Sequence, residues 1–185
     1  VLTPERAAAI EIAASAPEGS ALDPAQFGSL VHGDYAIQAE RFADILDELH
    51  ALHALHWGET EAHRAGIPMN PDYALACAHE RAGRMLQFTV RTVGAGELVG
   101  NLRMYLAQSM HTQTRYASED TLFLKPEHRG GFTAMALIRF AERALRSLGV
   151  AEIRIHSKLV NNADVLMRRM KYQPVALEFV KFFED

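Results

Sequence analysis

The sequence predicts an α/β protein of the α+β kind, with helices flanking a mixed, mostly antiparallel sheet. Three observations carry that prediction. A strand, glycine loop, helix and second strand follow one another over residues 121–155, a hairpin is written into 85–108, and helical patterns precede both.

Taken in order, residues 4–14 are Ala-rich helix formers with Thr3 as an N-cap. Residues 15–34 are rich in Gly, Ser, Pro and Ala and read as loop or linker, which divides the chain into an extension, 1–34, and a domain, 35–185. The extension is expected to pack on the surface or across a homodimer. The first strand is predicted over 35–39. A helix follows over 41–57, its apolar stripe made by Phe42, Ile45, Leu46, Leu49, Leu52 and Leu55. Ile67-Pro68-Met69-Asn70-Pro71 is a turn, and 71–82 a short second helix. Residues 85–93 and 98–108 form an antiparallel hairpin around Gly94-Ala95-Gly96. The polar stretch 109–116 reads as a flexible connection on the substrate side.

In the central run, 121–125 is a strand, Pro126 stops it, and Gly130-Gly131 makes a tight loop. Met135, Leu137, Ile138, Ala141, Ala144, Leu145 and Leu148 then recur at the spacing of a half-buried helix, which Gly149 ends. A helix crossing between two strands favours a parallel or splayed arrangement at the sheet centre. In 152–158, Ile153, Ile155 and Ser157 alternate with Arg154, His156 and Lys158. A polar face on an otherwise covered strand implies a cleft at its C-terminal end. Asn161 and Asn162 offer N-caps for a last helix over 163–170, and 175–183 is predicted to be the final strand.

Composition sets limits on function. The 185 residues suffice for a proper core, and 49% hydrophobic content excludes a disordered chain. A net charge of −4 supplies no basic field, so nucleic acid is not an expected partner. The single Cys77 excludes an internal disulfide and fits a reducing compartment. No apolar run reaches membrane-spanning length and no signal peptide is visible, so a cytoplasmic protein without membrane partners is expected.

The least ordinary local pattern is His50, His53 and His56, followed by Trp57, Glu59, Glu61 and His63. Histidine with carboxylate is metal-ligand chemistry, but zinc helices favour i, i+4 pairs backed by a remote third ligand, and no complete set is present; no metal is expected. An aromatic beside a carboxylate also suits an amine. A core Trp with a surface Glu is the equal alternative.

A glycine loop that opens a helix gathers unpaired N–H groups and a partial positive charge, a seat for phosphate that Arg129 would strengthen. Two glycines alone also make an ordinary tight turn. The surrounding residues resemble the acyl-coenzyme A loop of the GCN5-related N-acetyltransferases, whose pattern is strand, V-x-P-x-x-R-x-x-G-x-G/A, helix. Leu124, Pro126, Arg129 and Ala134 take the Val, Pro, Arg and final Gly/Ala places, while Phe132 stands where the first motif glycine belongs and Gly131 comes one residue early. The resemblance extends from about residue 35 to the C-terminus, through the Glu97-Leu98-Val99-Gly100 turn and the exit of the last helix. It is nearest to a divergent branch often carried by phages and prophages, in its His56-Trp57 segment, its Arg129-x-Gly131-x-Thr133 loop and its His156-x-Lys158 strand.

The resemblance implies an acetyl-CoA-dependent N-acetyltransferase acting on a primary amine, of a small molecule or a protein lysine, by direct transfer. It places the pyrophosphate on Arg129, Gly130, Gly131, Phe132, Thr133 and Ala134, the pantetheine on Leu122, Phe123 and Leu124, and adds Asn162 to the coenzyme contacts. The segment after the first helix would line the acceptor groove with His56, Trp57, Glu59 and His63, joined by Tyr105 and Tyr116. The amine must lose a proton before it attacks, since alkylamines have a pKa of about 10. Asp120, in step with Leu122 and Leu124, and His156 are the expected catalytic groups, with Glu119 as an alternative base. Many relatives use a Tyr on the last helix as the acid; here that position is Met167, and Tyr105, Tyr116 or water would replace it. Two other readings stand beside this one: a non-catalytic acyl-CoA-binding or interaction protein of the same fold, and a metal-binding helical protein built on the histidines.

Overall fold

The structure is a computed structural model and describes residues 3, 4, 21–64 and 66–182. The helix expected over 4–14 falls outside them, apart from Pro4. Six strands form a single sheet in chain order: β1 (Ser29–His32), β2 (Tyr35–Glu40), β3 (Met85–Thr92), β4 (Leu98–Gln108), β5 (Arg115–Leu124) and β6 (Glu152–Arg154). Every neighbouring pair is antiparallel except β5 and β6, which run parallel. Among the described residues four α-helices flank the sheet: α1 (Leu46–Thr60), α2 (Tyr73–Arg81), α3 (Thr133–Ser147) and α4 (Ala163–Arg169). This is the mixed, mostly antiparallel α/β architecture that the sequence predicts.

Alternation along the strands divides the core in two. Leu86, Phe88 and Val90 of β3 and Leu102, Met104 and Leu106 of β4 pack with Leu137, Ile138, Ala141 and Leu145 of α3. On the other face Met85, Leu98 and Phe123 pack with Leu49 and Leu52 of α1 and with Tyr73, Ala76 and Cys77 of α2. The helix ends follow local chemistry. Asp72 caps α2 by accepting from the Leu75 N–H at 2.9 Å, and α3 ends at Gly149, whose φ of 76° lets Val150 N–H return to the Leu145 carbonyl. Cys77 is buried, at 1% exposure, and burial pushes its thiol up to about 11.

Two features of the sheet position the site. Pairing between β5 and β6 covers only Tyr116 to Ser118 against Glu152 to Arg154, and β5 runs on unpaired on that side to Leu124. Between β4 and β5 the register shifts: Arg103 faces Thr121 but Met104 faces Glu119, so Asp120 is the extra residue of a β-bulge. Gly100 lets these strands close up, since a Cβ there would stand 2.5 Å from the Leu124 Cδ1 and 3.0 Å from the Phe123 carbonyl oxygen.

Several expectations are corrected. The sheet begins earlier than predicted, because Ser29 to His32, read as linker, pairs with β2 as a hairpin turning at Gly33. The helix predicted from 41 starts as α1 at Leu46, after a 3₁₀ turn, Ala43–Ile45. The polar connection expected over 109–116 ends at 114, since the strand expected over 121–125 already starts at Arg115 and runs to Leu124. Residues 175–182 form no strand in this structure; Val175, Leu177 and Phe179 alternate as in one but are 80–90% exposed. Alternation predicts which way side chains point, but a strand also needs a ladder partner, and this segment lies in none. Among the described residues no helix is long and apolar enough to cross a membrane.

Candidate active site

The separation of β5 from β6 beyond Ser118 and Arg154 opens a V at the C-terminal ends of the two parallel strands. Glu119 is the first β5 residue past the last pair. Its carboxylate is buried, accepts the His156 backbone N–H at 3.0 Å and lies 3.4 Å from the His156 Nδ1, which is also 3.2 Å from the Glu119 carbonyl. That carboxylate holds the His156 imidazole above its ordinary range, against a smaller opposing effect of burial.

Asp120 points elsewhere. The bulge turns it to the face of α1 and α2, where its carboxylate pairs with Arg103 Nη1 at 3.0 Å. Arg103 is buried, also donates to Gln87 Oε1 at 3.3 Å and to His53 Nε2 at 3.0 Å, and lies over the Phe42 ring at 4.7 Å. Tyr73 Oη is 3.1 Å from the Nδ1 of both His53 and His50. Asp120 and His156 are therefore not brought together; Glu119 takes the place beside His156. Arg103 was not anticipated, although a lone arginine between Leu102 and Met104 of an apolar strand is the signal that would find it.

The loop after β5 leaves N–H groups at the start of α3 without acceptors. Gly131 takes φ 57°, so the left-handed turn falls at the early glycine and Phe132 needs none. Phe132 is the N-cap of α3, makes no side-chain capping bond and is exposed, and the first helical bond runs from Ala136 N–H to the Phe132 carbonyl. The N–H groups of Thr133, Ala134 and Met135 thus precede any helical acceptor. A surface cavity of about 280 Å³ lies between this loop and the turn joining β1 to β2, where Tyr35 Oη meets His128 Nδ1 at 3.1 Å. Arg129 anchors the loop from within: Nε donates to the Leu124 carbonyl at 2.7 Å, and its two terminal nitrogens grip Glu59 at 3.0 and 2.5 Å.

The end of α1 spans the mouth of the V. Glu59 holds Arg129 on the β5 side, and Glu61, just past the helix, holds Lys158 at 2.6 Å on the β6 side and Arg64 at 2.7 Å. Between them the His56 ring stacks on Phe123, with centroids 5.1 Å apart and planes at 30°, while Arg129 covers the same ring from 5.2 Å. Burial pushes the His56 imidazole below its ordinary range; Glu119, Glu61 and Glu59 pull it back up, and Lys158 adds to the lowering.

The other predicted residues scatter. Trp57 is half-buried and belongs to neither core cluster. His63 is exposed, 3.6 Å from the Glu61 carboxylate. Tyr105 packs against the α1 and α2 cluster, edge-on to His79, and burial raises its phenol. Tyr116 lies in the paired part of β5 under Arg154, 4.1 Å from the guanidinium carbon. Leu122 is half-buried, whereas Phe123 and Leu124 are buried. Asn162 is exposed and left-handed, φ 51°, and Asn161 supplies the capping oxygen to the Ala163 N–H at 3.3 Å. Met167 is buried in the α3 cluster. No group of three or more metal-ligating side chains is assembled among the described residues.

No known family profile matches the chain, and no curated protein matches it. Solved structures do. A ribosomal-protein-alanine N-acetyltransferase from Brucella melitensis biovar Abortus 2308 is 18% identical, with a TM-score of 0.62 over 81% of this chain and 99% of that one. An aminoglycoside acetyltransferase from an uncultured soil metagenomic sample is 15% identical, at 0.64 over 81% and 99%. Glucosamine-6-phosphate N-acetyltransferase from Arabidopsis thaliana is 9% identical, at 0.61 over 81% and 99%. At such identities the likeness is one of fold, and the fold is that of the GCN5-related acetyltransferases.

Proposed function

We propose that this protein is an acetyl-CoA-dependent N-acetyltransferase that moves the acetyl group to a primary amine by direct transfer in a ternary complex. One observation carries the reading: a parallel strand pair that splays open beside a helix N-terminus with no side-chain cap. On the edge of β5 turned away from β4, the Leu122 backbone groups and the Leu124 N–H offer partners to an extended amide arm, and the N–H groups from Gly131 to Ala134 offer an anion seat one loop away. The His56-Trp57 segment and the His156-x-Lys158 strand favour the phage and prophage branch of the superfamily.

On this reading the acceptor enters between the end of α1 and the V, past His56, Trp57 and Glu59. Calorimetry with acetyl-CoA, followed by an amine panel scored by free-thiol release, tests it. Gly131→Val forces a β-branched residue into the left-handed region, and Arg129→Ala removes the anchor of the loop; each should weaken acetyl-CoA binding at least tenfold. Unchanged affinity in both variants would reject the loop assignment. Met167, buried where an acid would stand, favours a second reading, a binding protein without turnover, for which acetyl-CoA would bind and no amine would react.

A further inference from the structure

We infer that two imidazoles divide the proton work at the mouth of the V: His56 takes the proton of the acceptor amine, and His156 supplies one to the departing thiolate. The inference deepens the transferase reading and rests on it. The sequence suggests Asp120 with His156, but Arg103 occupies the Asp120 carboxylate on the far side of the bulge. What flanks the opening instead is one histidine on each side.

His56 comes from α1, half-buried, with its ring flat on Phe123 at the end of β5. Among the described residues neither of its ring nitrogens has a hydrogen-bond partner, so both are available to a ligand. The charged groups acting on it are Glu59 of its own helix, Glu61 beyond the helix, Glu119 of β5 and Lys158 beyond β6. Burial outweighs the three carboxylates, which leaves a neutral imidazole at neutral pH, the form a base requires.

His156 stands past the last residue of β6 with its side chain 56% exposed, tied to Glu119 through its backbone N–H and its ring. Glu119 and, more weakly, Glu178 favour its protonated form, which an acid requires. Two titratable groups pushed apart by their surroundings is the pattern that separates a base from an acid.

The step balances. The acceptor ammonium gives a proton to His56, and its nitrogen bonds to the thioester carbonyl carbon. The carbon–sulfur bond breaks, and the sulfur takes the proton of the His156 imidazolium. The amide nitrogen sheds its second proton to water, which re-protonates His156 in net terms, while His56 returns its own to solvent.

The roles are tested by substrates that need only one of them. With acetyl-CoA and an alkylamine, His56→Gln and His156→Gln should each lower kcat by about 10²–10⁴-fold. Methoxyamine, neutral at assay pH, should restore much of the loss in His56→Gln but not in His156→Gln. An acetyl thioester of an acidic aryl thiol should do the reverse. The acid limb of the pH–rate profile should disappear in His56→Gln, and the alkaline limb should move in His156→Gln. Wild-type kcat and profile in His56→Gln overturn the inference. If the wild-type protein acetylates no amine, the transferase reading fails, and NMR titration of the ring protons still judges the environments: His56 titrating at or above the ordinary range overturns the division.

Discussion

Arg103 fixes the hydrogens around it by what a guanidinium can do. It only donates, so His53 must accept at Nε2 and carry its own proton on Nδ1; that proton goes to Tyr73 Oη, which also meets the His50 Nδ1. Burial, then the Arg103 charge, takes His53 down to about 3. Its folded value therefore lies below the unfolded value near 6.5, and the unfolded chain binds the proton first on acidification. Stability is intact above about pH 6.5 and is lost as pH falls towards 3, at about 1.4 kcal/mol per pH unit. Between pH 7 and 4.5, urea denaturation of the wild type should show about 2–3 kcal/mol more loss than that of His53→Gln. An equal loss in both proteins would mean that His53 is not held neutral.

At the scale of elements, β4 and β5 leave no room for a side chain at Gly100, and the bulge lies further along the same pair. A methyl group at 100 meets a movable Leu124 methyl but also the Phe123 backbone, so β5 must shift where it leaves β6 behind. Gly100→Ala should cost about 1–3 kcal/mol and weaken acetyl-CoA binding, measured by thermal melts and calorimetry. A loss of stability with full affinity would separate this strand from the coenzyme site. The bulge also marks where sequence reading stopped. Alternation places Asp120 in step with Leu122 and Leu124, but one extra residue in the ladder breaks that step, and Glu119 becomes the carboxylate beside His156. Nothing within 115–124 announces the bulge, because it arises from pairing with β4.

For the molecule as a whole, short-range rules carried most of the architecture. The stripe of α3, its stop at Gly149 and the hairpin of β3 and β4 are local periodicities with local punctuation, and each stands as predicted within a few residues. The glycine displaced to 131 was also legible, since the left-handed residue of the loop moves with it. Long-range partnerships were not: the Arg129 grip on Glu59 joins a loop to a helix 70 positions earlier in the chain, and residues 175–182 carry a strand pattern with no ladder to join.

Cys77 gives the molecule a built-in clock. As the single thiol of the chain, closed in beneath α2 with its thiolate disfavoured, it reacts with an alkylating reagent only when that helix lifts from the sheet. The rate of modification under native conditions should therefore track opening rather than reagent, once reagent is in excess. Mass spectrometry of a timed labelling series should show one slow phase in the folded protein and prompt, complete labelling in denaturant. A second, fast phase would reveal that α2 detaches on its own, before the rest of the fold gives way.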